Sequence, residues 1–385
     1  MSKRIMVACE QFFTLDGKDC LFGGGERWLV DMVALLKSLQ YDVDVYQFSY
    51  APFSKRFKQM NVKGIGNIKN PARPLDSWGE GYAEFKRISE NFDGVFLLSQ
   101  NMAVQKYNKP TLTVNHGVIF DSYDLNVTKV MRDVYNNMDS FKLSCKNPDK
   151  IISVDSNAVK LSQVICREYS HKFEFVVNYT DLETFKPVEP DKNSFSIIFP
   201  RRLQFCRGFT TMMKATDYII DKYPQVKIYF VGNGNPQETE FFTNWLKDKP
   251  QDRVFHESYE MHDMYKAYKN KNLSCVPTIN SEGSSLSALE SLASGIPVIA
   301  TICGGLQDVC MGGVNAIAVN PDYSRSYENP DATELIEAIE WAINNPEELA
   351  KLRENGLRMI KAFDKKHWDA KISKIIERVY GKANE

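Results

Sequence analysis

The chain has 385 residues, with 48 Lys and Arg against 49 Asp and Glu, a net charge of −1 and 43% hydrophobic residues. That length exceeds one ordinary core and predicts two domains, and the near-zero charge excludes the strongly basic balance of a nucleic-acid binder. No apolar run reaches the roughly 18 to 20 residues a bilayer requires, and the opening MSKRIMVACEQFF is too short in its apolar part for a secretory signal, so the expected location is the cytoplasm. The eight Cys are scattered without a C-x-x-C pair and mostly lie in apolar runs, which reads as buried thiols. The five His form no H-E-x-x-H pattern, so a protein-held metal is not indicated and no cofactor is expected. In a cytoplasmic chain the N-x-S/T triplets at Asn126, Asn178 and Asn272 read as chance matches.

In chain order, RIMVACE predicts a first core strand, and GERWLVDMVALLKSLQ followed by YDVDVYQFS continues the strand, helix, strand rhythm of a parallel α/β sheet. Between them, Phe22, Gly23, Gly24 and Gly25 precede Glu26 at a helix start, where backbone N–H groups can approach a phosphate closely. A dinucleotide fingerprint fails there, because Trp28 stands where the third Gly belongs. Residues 55–73 carry six basic side chains and no acidic one, interleaved with apolar residues. The plainest reading is a solvated connection. The alternative is a patch that attracts an anionic acceptor or gives peripheral contact with a membrane face.

DGVFLLS and TLTVNHGV read as further strands, the second ending at His116, well placed to meet a ligand because open α/β sheets bind at the carboxyl ends of their strands. PDKIISVDSNAVK supplies another, with Ser156 at its end. The pattern restarts at SIIFP, followed by RRLQFCRG, in which Arg202 and Arg207 can converge on one diphosphate across a strand-to-helix turn. VKIYFVGNGN ends a strand at Gly232, and RVFHES and LSCVPT give two more. Residues 276–308, VPTINSEGSSLSALESLASGIPVIATICGGLQD, then hold Glu282 in a loop of small residues and Glu290 in the middle of an apolar helix. A carboxylate at Glu290 needs a partner or a cleft, because an ionised group in an apolar setting must be compensated. Small residues at a helix start favour phosphate, while a carboxylate beside them suits a hydroxyl-rich ligand such as a sugar. The tail from residue 332 is helical, with Pro346 opening one helix.

Several of these stretches together resemble the retaining family 4 glycosyltransferases. Glu282, seven residues, Glu290, then ASGIPVIA and GGLQD match that family's signature. RRLQFCRG resembles its G-R-L-x-x-x-K-G, residues 178–187 its N-G-V-D-x-x-x-F-x-P linker, and the Gly-rich loop its first G-G-x-E element. Two departures stand out: Ser284 and Ser285 follow Gly283 where many members have F-G, and Ala316 replaces Gly in N-G.

The resemblance implies an α/β protein of GT-B architecture, two Rossmann-like parallel-sheet domains facing across a cleft. The N-terminal, acceptor-side domain would be 1–187, completed by 365–385, and the donor-side domain 188–364. It implies transfer of a sugar from a nucleotide-diphosphate donor to a glycan, lipid-linked or other hydroxyl acceptor, with retained configuration and without a metal. It assigns Arg202 and Arg207 to the leaving diphosphate, Glu282 to the donor sugar, Glu290 to the ribose and His116 to the lining beside the reacting sugar. Donor contacts fall to Gly24, Gly25, Gly232, Gly283, Ser284, Ser285 and Leu286. The rival readings are a nucleotide-sugar epimerase of similar fold and a non-catalytic partner subunit of that fold.

Overall fold

A computed structural model describes residues 2–21, 23–117, 138–280, 282–324 and 326–384. Phe22, Ser281 and the triplet at Asn126 lie outside the described residues. The chain divides into two compact units, one of residues 2–116, 138–176 and 368–384, the other chiefly 177–367. The division falls ahead of the linker motif because residues beyond 176 already pack in the second unit. Asn178 bonds to Ser284, and the Phe185 ring packs edge-on to Tyr268.

In the first unit, β1 (Arg4–Ala8), β2 (Asp42–Gln47), β5 (Gly94–Leu97), β6 (Thr111–Asn115), β7 (Lys150–Ser153) and β8 (Phe173–Phe175) run parallel in the order β2-β1-β5-β6-β7-β8. Every residue of β5 and β6 is buried, as expected of strands covered on both faces; β5 reads as an apolar run, whereas β6, TLTVN, buries Thr113 on the Leu97 carbonyl and Asn115 on Gln100. The helix α1 (Gly24–Ser38) turns Trp28, Leu29, Met32, Val33 and Leu36 inward at helical spacing.

Residues 55–73 correct the expectation of a solvated connection. They fall largely in an antiparallel hairpin, β3 (Pro52–Phe57) and β4 (Met60–Ile65), with β4 joined to β2 and β3 at the sheet edge. Exposed Lys55 and Arg56 lie on that edge strand, a common device against edge-to-edge pairing. The helix α2 (Trp78–Ser89) follows and buries Phe85 against Phe48, ring centroids 4.9 Å apart.

The second unit carries a six-stranded, all-parallel sheet in the order β11-β10-β9-β12-β13-β14, formed by β9 (Phe195–Phe199), β10 (Val226–Val231), β11 (Val254–Glu257), β12 (Leu273–Val276), β13 (Val298–Thr301) and β14 (Ala316–Val319). Chain order runs outward in both directions from β9 and β12, so the switch point of this sheet lies between them. The last helix (Lys365–Tyr380) packs in the first unit from Trp368 onward, where Tyr380 donates to the carbonyl of Val95 at 2.7 Å. Among the described residues no helix is long and apolar enough to cross a membrane.

Candidate active site

The carboxyl ends of β9 and β12 flank the switch point of the second sheet, and the residues just beyond them form one charged cluster. Beyond β9 comes Arg201, with its side chain only 5% exposed. Its guanidinium reaches Glu282 Oε2 at 2.7 Å, Ser285 Oγ at 2.7 Å and Thr278 Oγ1 at 3.3 Å. Thr278, beyond β12, donates to the same Oε2 at 2.6 Å, and Arg207 approaches it at 3.3 Å. Burial by itself would raise the Glu282 carboxyl, but Arg201 and Arg207 and the bonds from Arg201 and Thr278 outweigh it and hold the pKa at about 2. Glu282 in turn raises the Arg207 guanidinium, against the cost of burial. Glu282 Oε1 accepts no hydrogen bond among the described residues.

Backbone turns hold this cluster in place. A short 3-10 turn, Phe205–Arg207, ends at Gly208 with φ +75°, and the helix α3 (Phe209–Lys222) starts there. A Cβ on Gly208 would lie 1.9 Å from the carbonyl oxygen of Pro277, so the Arg207 turn sits directly on the β12 exit. The Ile279 N–H closes the same contact on the Cys206 carbonyl at 3.0 Å. On the other side, Gly304 has φ +54° and would place a Cβ 2.2 Å from the Glu282 carbonyl, while the Gly305 N–H donates to that carbonyl. The 3-10 turn Gly304–Asp308 therefore fixes the Glu282 backbone. Gly232, at the end of β10, lies close enough that its Cβ would meet the Arg201 carbonyl at 2.7 Å.

Ser285 caps the helix Leu286–Ala293, accepting from the Ala288 N–H while receiving Arg201. Ser284 and Gly283 are buried, and Ser284 Oγ accepts from the Asn178 N–H at 2.9 Å. Leu286 packs against the core. Glu290 lies on this helix, 2% exposed, and takes the Tyr268 hydroxyl at 2.9 Å. The carboxylate that the sequence left without a partner is thus tied to a fully buried Tyr.

The structure brings Glu282, Arg207, Ser285 and Gly232 into this one cluster. Arg202 is exposed beside it. Arg201 is the residue the sequence reading passed over, although it makes the shortest ion pair in the cluster. His116, Gly24 and Gly25 belong to the first unit. His116 follows β6 and meets Trp28 edge-on at 5.7 Å. Crowding around its ring lowers its pKa to about 4 although part of the residue stays exposed. The imidazole is neutral at neutral pH. Gly25 has open space around a would-be Cβ.

A cluster of two guanidiniums around one carboxylate keeps net positive charge, with helix N-termini nearby, and can take an anion. The free Glu282 oxygen can accept from a hydroxyl on the same ligand.

Residues 181–359 match the family profile described as glycosyl transferases group 1. The chain is 25% identical over 379 residues to an uncharacterised glycosyltransferase of Haemophilus influenzae, covering 93% of this chain and 96% of that one. It is 27% identical over 227 residues to D-inositol 3-phosphate glycosyltransferase 1 of Catenulispora acidiphila, covering 53% of this chain and 50% of that one. Among solved structures, sucrose-phosphate synthase of Thermosynechococcus elongatus is similar with TM-score 0.77 and 18% identity, covering 98% of this chain and 99% of the other. HepE of Anabaena in complex with UDP-glucose is similar with TM-score 0.72 and 15% identity, covering 98% and 100%. Likeness at such identities establishes the fold, the GT-B architecture of two parallel-sheet α/β domains.

Proposed function

We propose, from the match of residues 181–359 to the glycosyl transferases group 1 profile, that this protein transfers a sugar from a nucleotide-diphosphate donor to a glycan, lipid-linked or other hydroxyl acceptor, with retained anomeric configuration. The observation that carries this reading is Glu282, ionised between Arg201 and Arg207 at the switch point of the second sheet, with one carboxylate oxygen unused. Glycosyl transfer passes through an oxocarbenium-like centre while charge grows on the departing diphosphate. Arg207, with Arg202 beside it, stabilises that charge without reorganising, which is the efficient form of electrostatic catalysis. The free oxygen of Glu282 takes a hydroxyl of the donor sugar and sets its orientation. Glu290, held by Tyr268, takes the ribose. His116 has the acceptor-side role, as a neutral imidazole. The reading assigns the leaving group to guanidiniums and predicts turnover without an added metal.

UDP-, GDP-, ADP- and dTDP-glucose are presented with EDTA, and release of the nucleoside diphosphate is followed together with the anomeric configuration of the product by NMR. One donor is consumed, and its sugar appears on an acceptor with the configuration unchanged. Inverted product overturns retention, loss of turnover in EDTA overturns metal independence, and a second free sugar nucleotide formed from donor alone would identify an epimerase.

A further inference from the structure

The first sheet has its own switch point, between β1 and β5, and a second carboxylate stands there. Glu10 lies two residues beyond β1, fixed by the Phe48 N–H on its carbonyl at 3.1 Å. Tyr82 of α2 donates to Glu10 Oε1 at 2.7 Å. Among the described residues Glu10 has no ion pair with any Lys or Arg, and its Oε2 receives no donor. Burial raises its carboxyl, against the bond from Tyr82. Further aromatic residues neighbour Tyr82. Tyr107, 5% exposed and close enough to raise the Tyr82 phenol, has a hydroxyl without a partner. Trp78, 5.7 Å from Phe48, has an unpaired indole N–H, and Tyr82 packs at 5.4 Å on the same Phe48 ring. The Glu10 carboxylate is half-buried and offers its open oxygen to a ligand beside these aromatic faces. Burial raises the Cys9 thiol, and Glu26, in the first turn of α1, and Glu10 add to it, so both carboxylates lie near this strand end.

We infer that Glu10, with Tyr82, forms a binding site for a neutral or amine-bearing polyol, the acceptor class of this enzyme, and that it rejects phosphorylated or carboxylated acceptors. A sugar hydroxyl or an ammonium group donates to Glu10 Oε2. A phosphate meets an uncompensated carboxylate instead. The word acceptor rests on the glycosyl-transfer reading. The site does not.

The test is binding to the full chain by saturation-transfer NMR, with methyl α-glucoside, glucosamine and glucose 6-phosphate as probes, for wild type, Glu10→Gln and Tyr82→Phe. The wild type is expected to bind the first two about tenfold or more tighter than the phosphate, and Glu10→Gln to bring the three within about twofold, because like charges oppose and the carboxylate carries the selection. Tyr82→Phe, which leaves the charge, is expected to weaken all three while keeping their order. Thermal melts report whether each variant folds. Equal affinity for glucose 6-phosphate in the wild type, an unchanged ratio in Glu10→Gln, or no binding of any probe overturns the inference. Stabilisation of the same samples by a nucleoside diphosphate is read separately, so failure of the polyol site and failure of the donor reading are distinct results.

Discussion

At the scale of single residues, the site turns on which of two neighbouring arginines points inward. Arg201 and Arg202 both lie beyond the end of β9, and spacing alone does not say which is buried on Glu282. The sequence motif favoured Arg202, and the fold buries Arg201. What was legible is the pairing of a cation turn with Glu282. What was not is the internal ion pair that keeps Glu282 charged at neutral pH. Its folded pKa, about 2, lies below its ordinary value of 4.5. A carboxyl depressed by folding contributes stability that is full above its unfolded pKa and is lost as pH falls through the folded value. Acid unfolding between about pH 4.5 and pH 2 is therefore expected to be less steep in Glu282→Gln than in wild type, measured by denaturant titration at stepped pH. The same variant is expected to lose about 100-fold or more in turnover at neutral pH. Arg201→Ala leaves Glu282 with one guanidinium fewer, and removing one partner of a buried pair costs about 3–5 kcal/mol. Equal stability of Arg201→Ala and wild type would show that the pair is open to water.

At the scale of elements, turns rather than helices set the site. Most strands were readable because parallel strands buried on both faces are apolar runs, as SIIF and LSCV are. The hairpin of residues 52–65 was not. Its turn residue Lys58 has φ +49° without the Gly or Asn that announces such a turn, and the edge strand is basic rather than alternating. Met60, Val62 and Gly64 do alternate inward, a signal that the density of lysines obscured. The glycines separate structural from permissive positions. Gly208→Ala meets both a left-handed backbone and the Pro277 carbonyl. The conformation alone costs about 1–2 kcal/mol, and relieving the overlap moves Arg207. Lower stability together with loss of nucleotide-induced stabilisation is the expected result, read by thermal melts with and without nucleoside diphosphate. Gly25→Ala, which meets no atom within 4 Å, is the matched control and is expected to change stability by less than about 0.5 kcal/mol. Loss of donor binding in Gly25→Ala would show that a ligand occupies that open space.

At the scale of the whole molecule, the strand and helix rhythm implies two doubly wound sheets, and both are present. Periodicity could identify the final helix but not its destination, because an amphipathic face does not say which sheet it covers. That destination divides the chain unevenly. The described residues of the Arg201–Glu282 cluster all lie within 177–367, a continuous stretch, whereas the first unit needs residues from both ends of the chain. Trp368, Ile372, Ile375, Ile376 and Tyr380 are buried from this helix, and Trp368 meets Trp28 edge-on at 5.2 Å. Trp368→Ala removes a large buried ring at a cost of about 3–5 kcal/mol. Because its contacts are with α1, hydrogen exchange is expected to rise in β1, β5 and α1, while stabilisation by a nucleoside diphosphate persists in the strands around β9 and β12. If protection fell equally in both sheets, the two units would unfold as one cooperative body. The polyol site at Glu10 and the anion site at Arg201 would then share their stability, and a ligand at either would be felt at the other.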